Sequence, residues 1–461
     1  MHNIEISTIA NFPNEEMARL KELISTFDSH RAKNDEKNRY YEGKISLSEV
    51  NLGIALPDGL QRLEIGCAWG AKAVDVLAGR SMFDGFVGVN GEINTDMDAI
   101  AENNNLVDEY IKACRDELKF GCTFATLTDS EEGVKIRFHS PLTASAKWDG
   151  EKGRIAYGFA IIDTAPDNNH NWTPTVLNYY TDEAIWVITK QNGYWSAEEH
   201  PHKMGRPLME ALIWNATSDK PFGRSRIKEP IRRLIQGYVR TVANASIGLE
   251  FATSPQKYLL GVTDEQFDAV VNNKFRQYVG SILASTTNPE TGEKPSFGQL
   301  QQGTIAPHVE MLRMLATQFS AASGLSVTDT GVVNDANPTS SDAILAQSQT
   351  LIATAQQLNI NNGVGLKSIA LMALAITYNV SLDELSDDQR AIVAHFKNPA
   401  MPSVAMTADA AIKISSARQG FAETDVFLEM LGFDKADIRR IKSQEGRARG
   451  MALVSEIENQ R

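Results

Sequence analysis

SGLSVTDTGVVNDANPTSSDAI, residues Ser323–Ile344, is a polar, glycine-containing stretch between two segments of helical periodicity. The segment before it, Pro307 to Ala322, places Val309, Leu312, Ala316 and Phe319 at steps of three and four, which predicts one apolar helix face. After it, Asn337 is a capping residue, Pro338 suits the first turn, and Ser340, Ser341 and Asp342 follow. Ile344, Leu351, Ala355 and Leu358 then fall on one side of a second helix. A loop held between two helices can project its tip from a rigid base, so this join is the first place to look for function.

Working outward from the join, the second helix is expected from about Thr339 to Tyr378, with a kink at Asn361, Asn362, Gly363 and Gly365. Short helices follow from Thr407. Upstream, Ser225 to Leu249 carries Ile227, Ile231, Leu234, Tyr238 and Val242 at helical spacing. Between these helices, Pro255 to Gly303 is mixed: Gln277–Leu283 and Pro295–Leu300 flank the turn-rich TTNPETGEK, which suggests a hairpin or a small αβ module. Cys122 to Glu198 alternates short β-like runs with Gly, Asp, Asn and Pro signals and predicts a small antiparallel sheet region. Helices are expected at Pro13–Arg39, Gly70–Leu77 and Thr95–Lys119. The fold class is therefore α+β, mainly α, and 461 residues allow roughly two to four domains.

A hydrophobic content of 42% supports substantial cores. Apolar runs are broken well before membrane-spanning length, and the N-terminal residues carry neither a basic nor an apolar signal region, so no membrane partner is expected. Cys67, Cys114 and Cys122 form no CxxC pair, which predicts buried reduced thiols. A formal charge of −13 argues against a surface that grips nucleic acid broadly, because phosphate binding needs clustered cations. An acidic lining repels the DNA backbone, which suits a polymer that must slide.

Among chemical signals, LEIGCAWG at Leu63–Gly70 resembles the glycine-rich turn of S-adenosylmethionine-dependent methyltransferases. Ala68 replaces the middle glycine, and the strand candidate Phe86–Val89 ends without an acid for a ribose. The alternative is a helix-entry turn packed by Trp69, Val74 and Leu77. Glu198, Glu199, His200 and His202 could share a face of extended chain as metal ligands, but Pro201 favours a surface loop. GxSxG, Walker and HExxH motifs are missing, so no catalytic residue, cofactor or metal is expected. The one cationic concentration, Arg224, Arg226, Lys228, Arg232, Arg233 and Arg240, predicts either a DNA-facing stripe or a helix face pairing with acids of a neighbouring subunit.

The order of several short motifs is similar to that of portal proteins of long-tailed bacteriophages of the siphophage type. They are RYYEG at Arg39–Gly43, AVDVLAGR at Ala73–Arg80, PFGRSRI at Pro221–Ile227, the Ser323–Ile344 join, and the region TADAAIKISSARQG. The resemblance implies a homo-oligomeric ring, usually of twelve subunits, at one capsid vertex. Double-stranded DNA would pass along its axis during packaging and ejection. It implies a wing over residues 1–220, stem helices at 221–254 and 305–325, and a clip at 255–304. It further implies a tunnel loop at 326–339, a long kinked helix returning to the wing at 340–406, and a crown at 407–461. Implied partners are the terminase large subunit, head-completion or adaptor proteins, and the major capsid and scaffolding proteins. The implied location is the virion, with assembly in the host cytoplasm. Thr330, Val332, Val333, Asn334, Asp335 and Asn337 would face DNA; with Asp329 and Asp335 and no Lys or Arg, that loop should guide DNA more than clamp it. The alternatives are the methyltransferase and an acidic scaffold that conducts no DNA.

Overall fold

The computed structural model describes residues 4, 6, 8–46, 65–88, 95–166, 170, 172–253, 257–260, 292, 296–299, 304–331, 341–400, 404–433 and 435–459. Residues 1–399 and 400–461 form two compact units.

In the first unit, β1 (Ile9–Ala10) precedes α1 (Asn14–Tyr41), α2 (Trp69–Ala78), β2 (Phe83–Val87), α3 (Thr95–Asn103) and α4 (Leu106–Phe120). The helix expected over Thr95–Lys119 is thus two helices. Asn105 takes a left-handed conformation, φ 47°, which Asn tolerates better than most residues. The Asn104 amide bridges the Ile100 carbonyl and the Val134 carbonyl, and its oxygen accepts from the Ile136 N–H, so the break is tied to the neighbouring sheet.

The β-rich region makes two sheets instead of one. Strands β5 (Ala144–Asp149), β6 (Arg154–Pro166), β7 (Trp172–Tyr180), β8 (Ala184–Gln191) and β9 (Tyr194–Pro201) form an antiparallel meander, and β1 joins its β9 edge in parallel. Asn192 and Gly193, φ 51° and 85°, turn β8 into β9, as a two-residue hairpin requires. The segment Glu198–Pro201 is therefore strand where a surface loop was expected, with Glu198 opposite Val187 and His200 opposite Ile185. One face of the meander takes α1: Leu20, Leu23, Ile24 and Phe27 bury against Phe159, Ile161, Leu177, Tyr179 and Ile188. Strands β3 (Cys122–Thr128), β4 (Lys135–His139) and β10 (Met209–Ile213) form the second sheet, in the order β10-β3-β4.

The chain then enters α5 (Glu229–Thr253), the pair β11 (Lys257–Leu260) and β12 (Ser296–Gln299), α6 (Ala306–Ser323), α7 (Ser341–Tyr378), α8 (Asp387–Arg390) and β13 (Val393–Phe396). Helix α5 starts later than its apolar spacing suggested, at Glu229, so Arg224, Arg226 and Lys228 precede it. Of the expected clip module, Gln277–Leu283 lies outside the described residues.

Helix α7 fills the centre. Leu358, Leu366, Ile369, Ala370, Met372, Ala373, Leu374 and Ala375 are fully buried, each apolar side chain of Leu size contributing about 1.5–3 kcal/mol. By length and apolarity Ser348–Tyr378 could cross a membrane, but half of its most apolar window is already covered within the subunit. The expected kink is not a break: helical structure continues through Asn361–Gly365. Gly365 lets the helix approach β10, since a Cβ there would lie 2.7 Å from Leu212 Cδ2. Asn362 is buried and turns its amide inward, where it donates to Glu117 Oε2 at 2.7 Å and to Tyr110 Oη at 3.0 Å. Tyr110 Oη lies 2.7 Å from Ser81 Oγ, which donates to Asn359 Oδ1 at 2.6 Å, so the network runs from α4 to two turns of α7.

In the second unit, α9 (Val404–Ala417) and α10 (Asp425–Met430) are short helices as expected, whereas α11 (Lys435–Asn459) is a single helix of 25 residues. Thr424 caps α10 by accepting from Phe427 N–H, Lys442 pairs with Asp425, and Phe421 meets Phe427 edge-on at 5.9 Å. The boundary between units at Pro399–Ala400 falls before residue 407, where the crown was expected to begin.

Complete burial raises the Glu117 carboxyl to about 8. The folded state therefore holds a proton that the unfolded chain has released, and stability falls as pH rises towards 8. Burial beside Arg137 lowers His139 to about 4, so this group costs stability only as pH falls below its ordinary value of 6.5. Glu117 contributes a fall of about 1.4 kcal/mol per pH unit until it titrates, offset towards pH 6.5 by His30, His139 and His202, which burial lowers from their ordinary value. The thermal unfolding midpoint of the wild type, taken relative to that of Glu117→Gln, should fall as pH rises from 6.5 to 8, because the histidine contribution is common to both proteins.

Candidate functional site

The site is the base of the join that follows α6. Helices α5 and α6 pack side by side, with Gly237 allowing close approach: a Cβ there would meet Leu315 Cδ2 at 3.2 Å. Along α5 the buried stripe is Ile231, Ile235, Val239 and Ala243, a run of four-residue steps. Along α6 only the last turns are buried, through Leu315, Ala316 and Phe319. Val309, expected on the inward face, is 44% exposed, and Met311 and Met314 are exposed with it. Leu249, near the end of α5 that runs alongside the start of α6, is also exposed.

Trp69, at the first turn of α2, inserts where the two helices meet the join. Its ring stacks on Phe319 at 4.8 Å with a 21° tilt and lies 4.8 Å from Tyr238 of α5. Its Nε1–H donates to the Thr330 carbonyl at 3.3 Å. Arg226 makes a second tie: Nε–H donates to the Ala73 carbonyl of α2 and an Nη–H to the Ser323 carbonyl at the end of α6, both at 2.5 Å. A cation at a helix C-terminus also complements the helix dipole. Burial lowers the Arg226 guanidinium to about 10, still leaving it charged at neutral pH.

Between these ties the chain is locally ordered. Gly324, φ 72°, ends α6 in the left-handed conformation that glycine adopts without strain. Asp329 Oδ2 accepts from the Ser326 N–H and hydroxyl at 3.1 and 2.7 Å, and Thr328–Thr330 form a single 3-10 turn. Thr330, expected at an exposed DNA-facing tip, is instead 9% exposed, and its hydroxyl donates to the Val327 carbonyl. Asp329 is likewise spent on the turn. Val332, Val333, Asn334, Asp335 and Asn337 lie outside the described residues.

The basic residues do not form one free stripe. Arg226 is directed inward as described. Arg232 pairs with Glu36 of α1 and with Glu229, both at 2.5 Å, Arg233 pairs with Glu229 at 2.8 Å, and Arg224 lies 3.4 Å from Asp219. The acids expected on a neighbour are thus, for these three arginines, on the same subunit. Lys228 and Arg240 make no ion pair among the described residues.

The glycine-rich turn is accounted for by packing. Leu63 and Glu64 lie outside the described residues; from Ile65 the chain leads directly into α2. Gly70 is needed because α2 crosses the end of α1 so closely that a Cβ would stand 2.0 Å from the Tyr40 carbonyl oxygen. Among the described residues, strand β2 pairs only with β13 and antiparallel, in place of the parallel sheet that a dinucleotide-type cofactor site requires. Cys67 is buried, and burial pushes its thiol up to about 12, an inert structural cysteine. Among the described residues the methyltransferase alternative thus finds no parallel sheet at β2, and Gly70 serves the crossing of α1 and α2.

Antiparallel sheets lie under helices, and the α5–α6 pair carries apolar side chains outward at one end. The chain belongs to the phage portal protein family, SPP1 Gp6-like, whose family model matches residues 20–451. It is similar to the portal protein of Mycobacterium phage D29, 22% identical over 458 residues that cover 94% of this chain and 90% of the relative. Among solved structures it is similar to a chain in the neck of an empty gene transfer agent particle, with 12% identity, TM-score 0.46, and 79% and 90% of the two chains covered. A chain in the virion of the native gene transfer agent particle aligns with TM-score 0.44, 12% identity and coverages of 79% and 89%.

Adding a methyl group at Gly70 forces α2 away from α1. Gly70→Ala should destabilise the subunit by about 1–3 kcal/mol, read as a lower denaturation midpoint, whereas Gly66→Ala, with open space around it, should be near neutral. Titration calorimetry with S-adenosylmethionine should give no binding heat.

Proposed function

We propose that this portal protein assembles with copies of itself into a closed ring, of twelve subunits, at one vertex of a phage capsid, and that double-stranded DNA passes through the ring during packaging and ejection. The observation that carries the proposal is the family match over residues 20–451. Exposed Val309, Met311, Met314 and Leu249 at one end of the α5–α6 pair support it, because a closed ring covers such side chains on every subunit without leaving a sticky edge. The net charge of −13 favours transit over capture of the duplex.

In this assignment residues 1–220 form the wing, α5 and α6 the stem, 255–304 the clip, and 340–406 the helix that returns to the wing. Residues 407–461 form the crown. The tunnel loop begins after Gly331, so its DNA-facing residues are Val332, Val333, Asn334, Asp335 and Asn337, without Thr330. Of the six basic residues, Lys228 and Arg240 are the ones left for a neighbouring subunit or DNA. The clip docks the terminase large subunit during filling and head-completion or adaptor proteins afterwards, while the wing meets the major capsid and scaffolding proteins. The subunit acts structurally, and energy for DNA movement comes from the terminase. It resides in the virion after assembly in the host cytoplasm.

Native mass spectrometry and particle averaging should show a ring with an axial channel; a strictly monomeric protein under assembly conditions would overturn the proposal. A ring without a channel as wide as a duplex would favour the non-conducting scaffold. Met314→Glu should abolish the ring while leaving helical content and the unfolding midpoint near wild type, because the side chain is exposed in the single subunit. Deleting Val332–Asn337 should leave rings intact and reduce packaged DNA.

A further inference from the structure

We propose that Trp69 is a positioning residue for the channel-facing loop: helix α2, through this side chain, sets where the loop starts. The inference rests on the assignment of residues 332–339 to the channel. It goes beyond that assignment by naming the part of the wing that holds the loop.

The stretch between the end of α6 and the loop is tied to α2 at both ends. At its start the Ser323 carbonyl accepts from Arg226, which also binds the Ala73 carbonyl of α2. At its end the Thr330 carbonyl accepts from Trp69 Nε1–H. Both ties act on backbone oxygens, so they fix the course of the chain whatever side chains stand there. The Trp69 side chain is itself fixed by Phe319 and Tyr238, one ring from each helix of the pair, and is 5% exposed. Asp329 and the 3-10 turn stiffen the segment from within. Gly331, directly after the Thr330 tie, has φ 83° and nothing within 4 Å of where its Cβ would be.

A ring of loops acts on one duplex only if all loops start from equivalent places, and a hydrogen bond from a stacked indole supplies that placement in every copy. A shift of α2 would move the loop base, because Trp69 and the Arg226 acceptor Ala73 both belong to α2.

The test uses the assembled ring. Trp69→Phe keeps a stacked ring and removes the N–H donor. If this variant fails to assemble, 3-benzothienylalanine at position 69 keeps the indole shape and replaces the N–H by sulfur. Hydrogen–deuterium exchange at the Asp329, Thr330 and Gly331 amides, all hydrogen-bonded in the turn, is expected to rise about fivefold or more over the wild-type ring. Packaged DNA per head, from complementation of a phage lacking the wild-type gene, is expected to fall while ring number and size stay unchanged. Unchanged exchange overturns the inference. Faster exchange with normal packaging overturns the positioning role. In that case a packaging defect in the Val332–Asn337 deletion leaves the channel assignment standing, and its absence removes that assignment too.

Discussion

Burial of α7 is the constraint on which the larger unit depends. Between Asp342 and Lys367 the chain has no charged side chain, and the helix it forms is covered by α3, the β10-β3-β4 sheet and β13. Such a helix has no stable solvated state, so the segments flanking it in space must come from far away in sequence and close over it. The cost is a small set of polar groups carried into the centre. Glu117, Asn362, Tyr110, Ser81 and Asn359 meet part of this cost by hydrogen-bonding one another, while Glu117 Oε1 and Asn362 Oδ1 are left without a partner among the described residues.

From that centre the α5–α6 pair extends in a different regime. The turns of α6 near Phe319 are packed on Trp69 and the buried stripe of α5, while its first turns carry Val309, Met311 and Met314 outward. One helix therefore serves the subunit core at one end and is available to other chains at the other. The join to α7 starts at the packed end, which is why its first residues are ordered by α2 and Arg226 and not by the loop itself. The overall charge is acidic, and Arg224, Arg232 and Arg233 are already paired with acids of the same subunit.

Much of the architecture was legible in the chain. Helices α1, α2 and α6 were predicted to within a few residues, because their apolar spacing and caps are local properties. The α+β class followed from the change in periodicity at Cys122, and the order of short motifs pointed to the portal family that the whole-chain match establishes. Errors arose where partners are distant. Asn361–Gly365 read as an interruption, since Asn and Gly weaken an isolated helix, yet here helical structure continues, Asn362 donates to Glu117 and Gly365 makes room for Leu212. Thr330 read as a polar loop tip, because composition carries no information about burial by a tryptophan 261 positions earlier. Arg226 read as one of a cationic group, whereas its acceptors are two carbonyls of other helices.

By itself the sequence determined most of the helical and β segments, the uncharged run between Asp342 and Lys367, the acidic balance and the family, all of which depend on residue type and short-range order. Only the tertiary structure decided which face of each helix is buried, that Gly70 serves the crossing of α1 and α2, and that the join after α6 is anchored through Thr330. The physical reason is that burial and hydrogen bonding in these places are contacts between segments widely separated along the chain. No local pattern encodes such contacts until the fold brings them together.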